Sequence, residues 1–403
     1  MSREHILQIG LVVRILYIWD ADYPWDIRVE KICLSLANAG HDLHIAARNI
    51  KRQDEYEECG RLKIHRMPTY SNDRLNYALS FPAFFSPFWK RFLDTIIRQH
   101  GINLIIVRDL PMAIAGIWAG RRHGLPAIFD MAEDYVALIT RIWHRRKFSG
   151  LNIVVRNPYL AKYVEQYALP RFNHIFVVVE EAKDLVVGRG VLADKVTVIG
   201  NTPKLDEVNR ALQTAEDMPF KSRFVAIYTG GVQLGRGLQV VFDAIPEIIT
   251  VIPEFLFVIV GDGYAVPQLK EYVRKLGLED YVYWAGWMNH EKLIRYIAYS
   301  DVGIIPHLRS PHVDTTIPNK VFDYMACGIP IITVDSPPLA RIIQGERAGL
   351  IFENNDSGDI ARVMYEVYRD NGNKYGKNGQ LAVLKKYNWK NEEKKLCNII
   401  SNY

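Results

Sequence analysis

Two charged residues stand one helical turn apart at the start of a predicted helix. The segment at 315–334 reads TTIPNKVFDYMACGIPIITV, in which Thr316 is a suitable N-cap and Gly328 ends the helix before an apolar strand. Lys320 and Asp323 project from one face of that helix. A cation beside the unpaired N–H groups of a helix start suits phosphate, and a carboxylate one turn further on suits ribose hydroxyls. The pattern predicts a nucleoside diphosphate site, although an ordinary capped helix with a surface ion pair would show the same residue types.

A glycine-rich loop follows the predicted strand Phe224–Tyr228. It reads TGGVQLGRGLQ over 229–239. Gly230 and Gly231 allow the backbone to approach a phosphate closely, and Arg236 offers a fork of donors. The loop lacks the Lys and the hydroxyl residue of a P-loop, which disfavours ATP hydrolysis. It predicts a second phosphate contact, and a structural turn between strand and helix is the other interpretation.

Charged residues also follow two predicted strands in the first half of the chain. Arg108 and Asp109 come after the strand at 103–107, and Glu133 follows the strand at 127–129. Parallel strands bring such loops to one edge of a sheet. Asp109 and Glu133 are therefore candidates for orienting or deprotonating a hydroxyl group, and a helix cap or a salt-bridge partner is the alternative for each.

The elements that must carry these residues alternate between strand and helix. Short apolar runs are separated by segments of helical period, which predicts right-handed βαβ units and parallel sheets. The predicted strands lie at 14–19, 43–47, 103–108, 127–130, 174–179, 196–199, 224–228, 254–260, 281–284, 302–305 and 329–334. The chain is therefore predicted to be an α/β protein of two Rossmann-like, doubly wound parallel-sheet domains, with ligands where the carboxyl ends of the strands face a shared cleft.

A polar stretch without a strand signal separates the two halves. It covers residues 201–221, contains Pro203 and Pro219, and is interpreted as the interdomain linker. The predicted domains are therefore 1–200 and 222–385.

The segment that carries the first motif resembles a known family signature. Residues 318–330, PNKVFDYMACGIP, are similar to the donor-binding motif of the retaining GT-B glycosyltransferases of family four, the glycosyl transferases group 1. The resemblance covers nearly the whole chain. It implies an acceptor-side domain in 1–200, a nucleotide-sugar donor domain in 222–385, and a last helix within 386–403 that crosses back to the first domain.

The resemblance also implies roles for individual donor-side residues. Arg236 stands at the position of a family lysine that contacts the diphosphate, and Gly231 stands near the position of a family arginine. Asp323 replaces a glutamate that holds the ribose. Thr315 replaces a glutamate that contacts the donor sugar, with Asp314 as the neighbouring carboxylate. The implied donor-binding residues are Gly230, Gly231, Arg236, Gly263, Thr316, Asn319, Lys320 and Asp323.

On the acceptor side, many family members carry a histidine before an acid near the reacting sugar. This chain has Arg108 there, so the implied catalytic residues are Arg108, Asp109 and Glu133. Asp20 and Asp22 form a DxD pattern, which binds Mn²⁺ in single-domain glycosyltransferases. The pattern lies away from the donor motifs, and two-domain enzymes stabilise the leaving diphosphate with cations and helix ends. No metal and no other cofactor are therefore expected.

The composition predicts a globular chain and excludes several classes of protein. The 403 residues are 49% hydrophobic and 24% charged, with four cysteines. Disorder, collagen and a disulfide framework are excluded, and the cysteine spacing suggests neither a zinc site nor a redox motif. The apolar run from Ile6 to Trp19 is broken by Gln8 and Arg14 and lacks a signal-peptide cleavage pattern, so a cytoplasmic protein is expected.

The net charge of +5 is unevenly distributed, with +6 in residues 1–200 and −1 in residues 201–403. Residues 79–92 and 143–147 combine aromatic side chains with basic ones. This pattern favours peripheral contact with an anionic inner membrane face or a lipid-phosphate acceptor, and a buried helix with a solvated edge is the alternative. No basic stripe spans both domains, so nucleic acid is not an expected partner.

These observations together predict a retaining glycosyltransferase. It would move a sugar from a UDP- or GDP-sugar to a hydroxyl group of a glycan or lipid-linked acceptor, in cell-surface polysaccharide or glycolipid synthesis. A nucleotide-sugar epimerase on the same fold is one alternative. A catalytically weakened donor-binding partner protein is the other, suggested by Gly231 and Thr315 at positions where the family has charged residues.

Overall fold

The chain folds into two compact units. The first contains residues up to Ile199 together with Glu392–Tyr403, and the second contains Gly200–Asn391. The computed structural model describes residues 12–24, 26–82, 84–143, 149–214, 218–220, 222–370 and 373–403.

A single mixed sheet forms the centre of the first unit. Its strands are β1 (Arg14–Asp22), β2 (Asp42–Arg48), β3 (Tyr56–Cys59), β4 (Leu62–Arg66), β5 (Leu104–Arg108), β6 (Ala127–Asp130), β7 (His174–Val177) and β8 (Val196–Val198). They pair in the order β3-β4-β2-β1-β5-β6-β7-β8. The pairs are parallel except for β3 and β4, which form an antiparallel edge.

Helices accompany this sheet along the chain. They are α1 (Ile27–Asn38), α2 (Asp73–Ser80), α3 (Pro87–His100), α4 (Ala113–His123), α5 (Tyr135–Trp143), α6 (Leu151–Val155), α7 (Pro158–Ala168) and α8 (Glu180–Gly188). The start of α1 illustrates how the sequence sets these elements. The Asp26 carboxylate accepts hydrogen bonds from the N–H groups of Arg28 and Val29, which caps the helix. Val29, Ile32 and Leu36 then repeat at helical spacing and are fully buried.

The second unit contains an all-parallel sheet. Its strands are β9 (Phe224–Thr229), β10 (Phe255–Val260), β11 (Val282–Gly286), β12 (Val302–Ile305), β13 (Ile331–Val334) and β14 (Gly349–Phe352). They pair in the order β11-β10-β9-β12-β13-β14. Strand β10 is buried along its whole length, as expected for a strand covered by helices on both faces.

The helices of the second unit and the last helix of the chain follow the same alternation. They are α9 (Leu205–Leu212), α10 (Leu238–Val251), α11 (Val266–Lys275), α12 (His290–Ala298), α13 (Lys320–Cys327), α14 (Pro337–Glu346), α15 (Ser357–Arg369), α16 (Asn373–Lys385) and α17 (Trp389–Ile400). From Glu392 onward, α17 belongs to the first unit, where Leu396 and Ile400 are fully buried.

The stretch predicted as a linker is part of the second unit. Within residues 201–221, α9 buries Val208 and Ala211 and contacts α12 and α13. These two apolar residues are three apart, so they lie on one face of a short helix whose other central residues are polar. The mostly polar composition of residues 201–221 therefore gave no signal for α9, although this helix is packed into the second unit.

The predicted α/β architecture with two doubly wound sheets is confirmed. In both sheets the strand order reverses beside the first strand of the unit, between β1 and β5 and between β9 and β12. Ligands of such sheets bind outside the carboxyl ends of the strands at this reversal. None of the helices in the described ranges has the length and hydropathy needed to cross a membrane.

Candidate active site

The carboxyl end of β9 brings the first two predicted donor motifs together. Gly230 follows this strand with a φ of 114°, in the region that favours glycine. A Cβ atom at this position would lie 3.4 Å from Lys320 Nζ, so the lysine ammonium is placed directly against the glycine backbone. A side chain here would take up the space in front of the ammonium.

Lys320 is buried, with 9% of its surface exposed. Its Nζ lies 3.6 Å from the centroid of the Tyr228 ring, a cation–π contact. Burial lowers the pKa of Lys320 well below its ordinary value, and the charge of Arg236 lowers it further, against the attraction of Asp323. The ammonium is therefore incompletely compensated, and an anion would stabilise it.

Arg236 ends a short 3-10 turn, Leu234–Arg236, in the loop after β9. Its Nη1 lies 3.3 Å from Nδ1 of His307, which follows β12. The next residue, Gly237, has a φ of 72°, and a Cβ there would clash with the carbonyl of Pro306. The loops after β9 and β12 therefore pack closely at the reversal of the strand order. His307 is a site residue without a motif of its own, so it was not predicted.

The start of α13 differs from the prediction. The helix begins at Lys320 with Asn319 as its N-cap, and no side chain makes a capping hydrogen bond. Thr316 is not the N-cap, because the chain forms a 3-10 turn at Val313–Thr315 and Thr316 Oγ1 donates to the carbonyl of His312 at 2.9 Å. The uncapped helix start is suited to an anion, as predicted, but Thr316 contributes through the turn before it.

Asp323 lies one turn into α13 with 15% of its side chain exposed, and its Oδ1 is 3.9 Å from His290 Nε2. The three-residue spacing predicts that Asp323 lies beside Lys320. The structure agrees, since the charge of Asp323 raises the pKa of Lys320. Gly263 also has a packing role, and its predicted contact with the donor stays a prediction. A Cβ at Gly263 would clash with the backbone of Val232, so this glycine allows the loops after β9 and β10 to pack against each other.

The carboxylate next to Thr315 is already paired. Arg309 Nε and Nη2 each lie 3.1 Å from an oxygen of Asp314, and Nη1 lies 3.3 Å from Asp335. The hydrogen bond to Asp314 is the main cause that raises the pKa of Arg309. Asp314 is therefore held by Arg309, a residue that no sequence motif pointed to.

In the first unit, the reversal between β1 and β5 is occupied by an ion network centred on Arg108. The guanidinium lies 3.2 Å from Asp26, 3.1 Å from Asp109 and 3.3 Å from Asp130. Burial alone would lower the pKa of Arg108, but these carboxylates raise it well above its ordinary value. Arg108 is thus a buried, paired cation, with 6% of its surface exposed.

Asp130 is the completely buried partner in this network. Arg28 Nη2 donates to its Oδ1 at 2.6 Å, and the Tyr17 hydroxyl donates to its Oδ2 at 2.6 Å. Burial would raise the pKa of Asp130, but Arg28 and Arg108 hold it below its ordinary value. This ionised carboxylate ties together β1, α1, β5 and β6.

The predicted catalytic residues Asp109 and Glu133 have unlike environments. Asp109 has a φ of 59°, its Oδ2 accepts from Arg108 Nε at 3.1 Å, and its Oδ1 accepts from the N–H of Ala132 at 3.2 Å. Burial, followed by the charge of Asp130, raises its pKa. Both Asp109 oxygens are therefore already engaged, whereas Glu133 is exposed.

Asp20, at the carboxyl end of β1, has the environment expected of a group that exchanges protons. Burial raises its pKa to about 7, with a contribution from the charge of Asp109 and opposing effects from Arg108 and Arg48. Its DxD partner Asp22 accepts hydrogen bonds from the N–H groups of Ile50 and Lys51 at 2.8 and 3.0 Å. The two carboxylates of the DxD pattern therefore have separate surroundings.

Two family descriptions match the chain. Residues 26–202 match the Glycosyl transferase 4-like domain, and residues 223–370 match Glycosyl transferases group 1. Together they cover most of both units.

Curated relatives agree with this assignment at low identity. The chain is 24% identical over 248 residues to the chitobiosyldiphosphodolichol beta-mannosyltransferase of Candida albicans, covering 57% of this chain and 54% of that protein. It is 21% identical to the alpha-monoglucosyldiacylglycerol synthase of Streptococcus pneumoniae, covering 84% and 74%. The match to the Candida protein thus spans about half of that protein's length.

Solved structures share the fold of the whole chain. Sucrose-phosphate synthase from Thermosynechococcus elongatus has a TM-score of 0.75 at 17% identity and covers 97% of this chain and 98% of its own. The Anabaena HepE protein in complex with UDP has a TM-score of 0.69 at 14% identity and covers 97% and 100%. With both units matched to family domains and these neighbours sharing its fold, the chain belongs to the glycosyl transferases group 1 and is a glycosyltransferase of the GT-B fold.

Proposed function

We propose that this glycosyltransferase takes its sugar from a nucleoside-diphosphate sugar and transfers it to an acceptor hydroxyl. The observation that carries the proposal is the pair of cations at the strand reversal of the second sheet. Lys320 is buried against Tyr228 and Gly230, and the charge of Arg236 acts on it. A diphosphate placed there would compensate both cations and lie at the positive end of the α13 dipole.

Each part of the donor has a candidate partner in the second unit. Lys320, Arg236 and the helix start at Asn319 would hold the diphosphate and stabilise the charge that develops as the sugar leaves. Asp323 would accept hydrogen bonds from the ribose hydroxyls. Trp287, 78% exposed directly after β11, offers a flat surface for the base. The UDP in the Anabaena HepE structure supports UDP, and GDP is the second candidate.

The proposed stereochemistry is retention, with Asp20 as the group that orients the acceptor. In a front-face route the departing phosphate oxygen takes the proton of the attacking hydroxyl as the new glycosidic bond forms. Ionised Asp20 would accept a hydrogen bond from that hydroxyl before transfer. The relatives include proteins named for beta and for alpha products, so proton NMR of the product anomer is the direct test. Inversion would instead require a residue to take the proton, and Asp20 would then be its base.

The proposed acceptor is a glycan or a lipid-linked sugar at an anionic membrane surface. Relatives named for a diphosphodolichol, a diacylglycerol and amylovoran biosynthesis support a glycolipid or polysaccharide product. Phe85, just before α3, and Phe88, in its first turn, are 56% and 44% exposed, and Lys90 and Arg91 follow them. Apolar side chains beside cations suit an anionic bilayer. Of the second predicted segment, residues 144–147 lie outside the described residues.

Sugar transfer is tested by incubating the protein with UDP- and GDP-sugars, with and without lipid-linked and glycan acceptors, and measuring products by mass spectrometry. Glycosylated acceptor together with free nucleoside diphosphate supports the proposal. Isomerised donor without acceptor would indicate the epimerase. Donor binding without turnover on any acceptor would indicate a binding partner.

Membrane contact is tested separately by co-sedimentation with phosphatidylglycerol vesicles. We expect binding at low salt that weakens at high salt, and weaker binding by the F85S/F88S variant. The matched control Y299S removes an aromatic side chain that is 44% exposed in the second unit. Absence of binding by the unaltered protein at low salt would overturn this part of the proposal alone.

A further inference from the structure

Three histidines from separate elements of the first unit meet at one point. His44 lies on β2, His65 lies on β4, and His100 is the last residue of α3. His44 Nδ1 is 2.9 Å from His65 Nε2, and the ring of His100 lies 4.6 Å and 4.8 Å, centroid to centroid, from those of His44 and His65. Each histidine offers a ring nitrogen within 4.8 Å of those offered by the other two.

This histidine cluster is shielded from water. His44 is 1% exposed and His65 is 7% exposed, whereas His100 is only partly buried. Burial, followed by the nearby imidazoles, lowers the pKa of His65 to about 3, and burial also lowers the pKa of His44. Burial of His44 and His65 favours the neutral imidazole, which keeps a lone pair for a ligand.

A carboxylate is placed behind the cluster. Asp42 Oδ2 lies 3.5 Å from His44 Nε2, a buried atom that has no hydrogen-bond partner within the part of the chain that the structure describes. A carboxylate at this nitrogen favours the tautomer with the proton on Nε2, which leaves the Nδ1 lone pair directed at the cluster. Lys63 Nζ lies 2.8 Å from Asp42 Oδ1, so the two neighbouring charges offset each other.

We propose that His44, His65 and His100 bind one transition-metal ion, with Zn²⁺ as the ion that best suits neutral imidazoles in a tetrahedral site with one water. The ring nitrogens of His44 and His65 would separate slightly, to about 3.3 Å, to reach zinc–nitrogen distances of about 2.0 to 2.1 Å.

The site is separate from the candidate active site. His44 is near the amino end of β2, and His100 precedes β5, whereas Asp20 and Arg108 lie at the carboxyl ends of β1 and β5. The ion would cross-link β2, β4 and α3, so its role is to stabilise the first unit rather than to take part in sugar transfer.

The test uses full-length protein without a histidine tag, stripped with chelator and dialysed against Zn²⁺ alone. We expect one equivalent of zinc by elemental analysis and a higher unfolding temperature in the loaded protein. The variants H44Q, H65Q and H100Q should each weaken binding by about 10- to 100-fold or more, since each loses a direct ligand. The control H123Q should bind like the unaltered protein, because His123 pairs with Asp94 outside the cluster.

Failure of the unaltered protein to bind zinc at micromolar concentration would overturn the proposal. Unchanged binding in H100Q would also contradict it, and this variant alters the least buried of the three side chains. X-ray absorption of the loaded unaltered protein gives a readout that needs no variant. Three imidazoles in the zinc coordination shell are expected, and a shell without them would refute the site.

Discussion

Lys320 Nζ lies 3.6 Å from the centre of the Tyr228 ring, so a buried ammonium is held against an aromatic face. The two residues come from α13 and β9, the elements on which the two donor motifs were predicted. The ring partly replaces water around the charge, but burial still lowers the lysine pKa. The contact therefore positions an amine that a bound phosphate would stabilise in its charged form.

Replacement of Lys320 by methionine should weaken UDP or GDP binding by about 10- to 100-fold, because one charge-assisted contact to the diphosphate is lost. The variant should remain folded, since methionine fills much of the same space without a buried charge. Isothermal titration measures the affinity. The matched control K275M removes an exposed lysine of α11 and should bind normally.

The same titration tests the charge state of Lys320. Its pKa is lowered in the free protein, so a bound diphosphate, which favours the ammonium, should cause proton uptake. The measured enthalpy should then depend on the ionisation enthalpy of the buffer for the unaltered protein and much less for K320M. Equal buffer dependence in both proteins would contradict this role.

Replacement of Arg236 by glutamine should act on the diphosphate alone. We expect weaker binding of the nucleoside diphosphate, by about 10-fold or more, and unchanged binding of the nucleoside. Competition against a fluorescent donor analogue measures both. Equal losses for nucleoside and nucleotide would place Arg236 away from the phosphates.

Asp323→Asn should reduce discrimination for the ribose. The carboxylate is proposed to accept from the ribose hydroxyls, so the unaltered protein should prefer UDP over 2′-deoxy-UDP, and the variant should show a smaller preference. The ratio of the two dissociation constants is the measurement. An unchanged ratio would move the ribose contact to another residue.

Asp20→Asn should remove a pH dependence. Ionised Asp20 is needed to orient the acceptor, so kcat/KM for the acceptor should rise as pH increases through about 7 in the unaltered enzyme. The variant should be slower by about 10- to 100-fold and should lack this rise. A retained rise would assign the titration to another group.

Asp20→Asn should also change how the free energy of unfolding depends on pH. This dependence has the opposite sign to that of kcat/KM. The pKa of Asp20 is higher in the folded than in the unfolded chain, so stability falls as pH rises between the two values. D20N should therefore gain stability relative to the unaltered protein between acidic pH and pH 8. Denaturant unfolding at pH 5 and pH 8 tests this, and an equal difference at both would contradict the raised pKa.

Arg28→Met should destabilise the first unit by about 3 to 5 kcal/mol, because it removes the principal ion-pair partner of the completely buried Asp130. Urea unfolding measures the loss. The control R369M breaks the ion pair between Arg369, which is 79% exposed, and Asp370. It should change the free energy of unfolding by less than about 1 kcal/mol. Similar losses in both variants would contradict the role of burial.

The central strands could be predicted because they are buried on both faces and read as continuous apolar runs. The strands at the edges of the sheets were harder to predict. Strand β3 is YEEC and exposed throughout, so it has no apolar signal, and its pairing with β4 depends on long-range contact. Strand β14 begins with glycine and follows α14 closely, and its pairing with β13 likewise gives no local signal.

The proximity of Lys320 to the glycine-rich loop could be predicted because both motifs are local, whereas the ion network around Arg108 could not. Lys320 and Asp323 share one helix, and the glycine-rich loop is recognisable in the sequence from its closely spaced glycines. Arg28 and Asp130 are 102 residues apart, and no spacing rule joins them. The partners of Arg309 and His307 likewise follow from the folded loops. Without the ion pair to Arg309, Asp314 is expected from the sequence to be available for the donor sugar.

A crystal structure of the protein with UDP or GDP tests the central claim most directly. We predict diphosphate oxygens within about 2.7 to 3.2 Å of Lys320 Nζ and the Arg236 guanidinium, with Asp323 at the ribose. A nucleotide bound away from the loop after β9, or a diphosphate directed into solvent with Lys320 still covered, would contradict it.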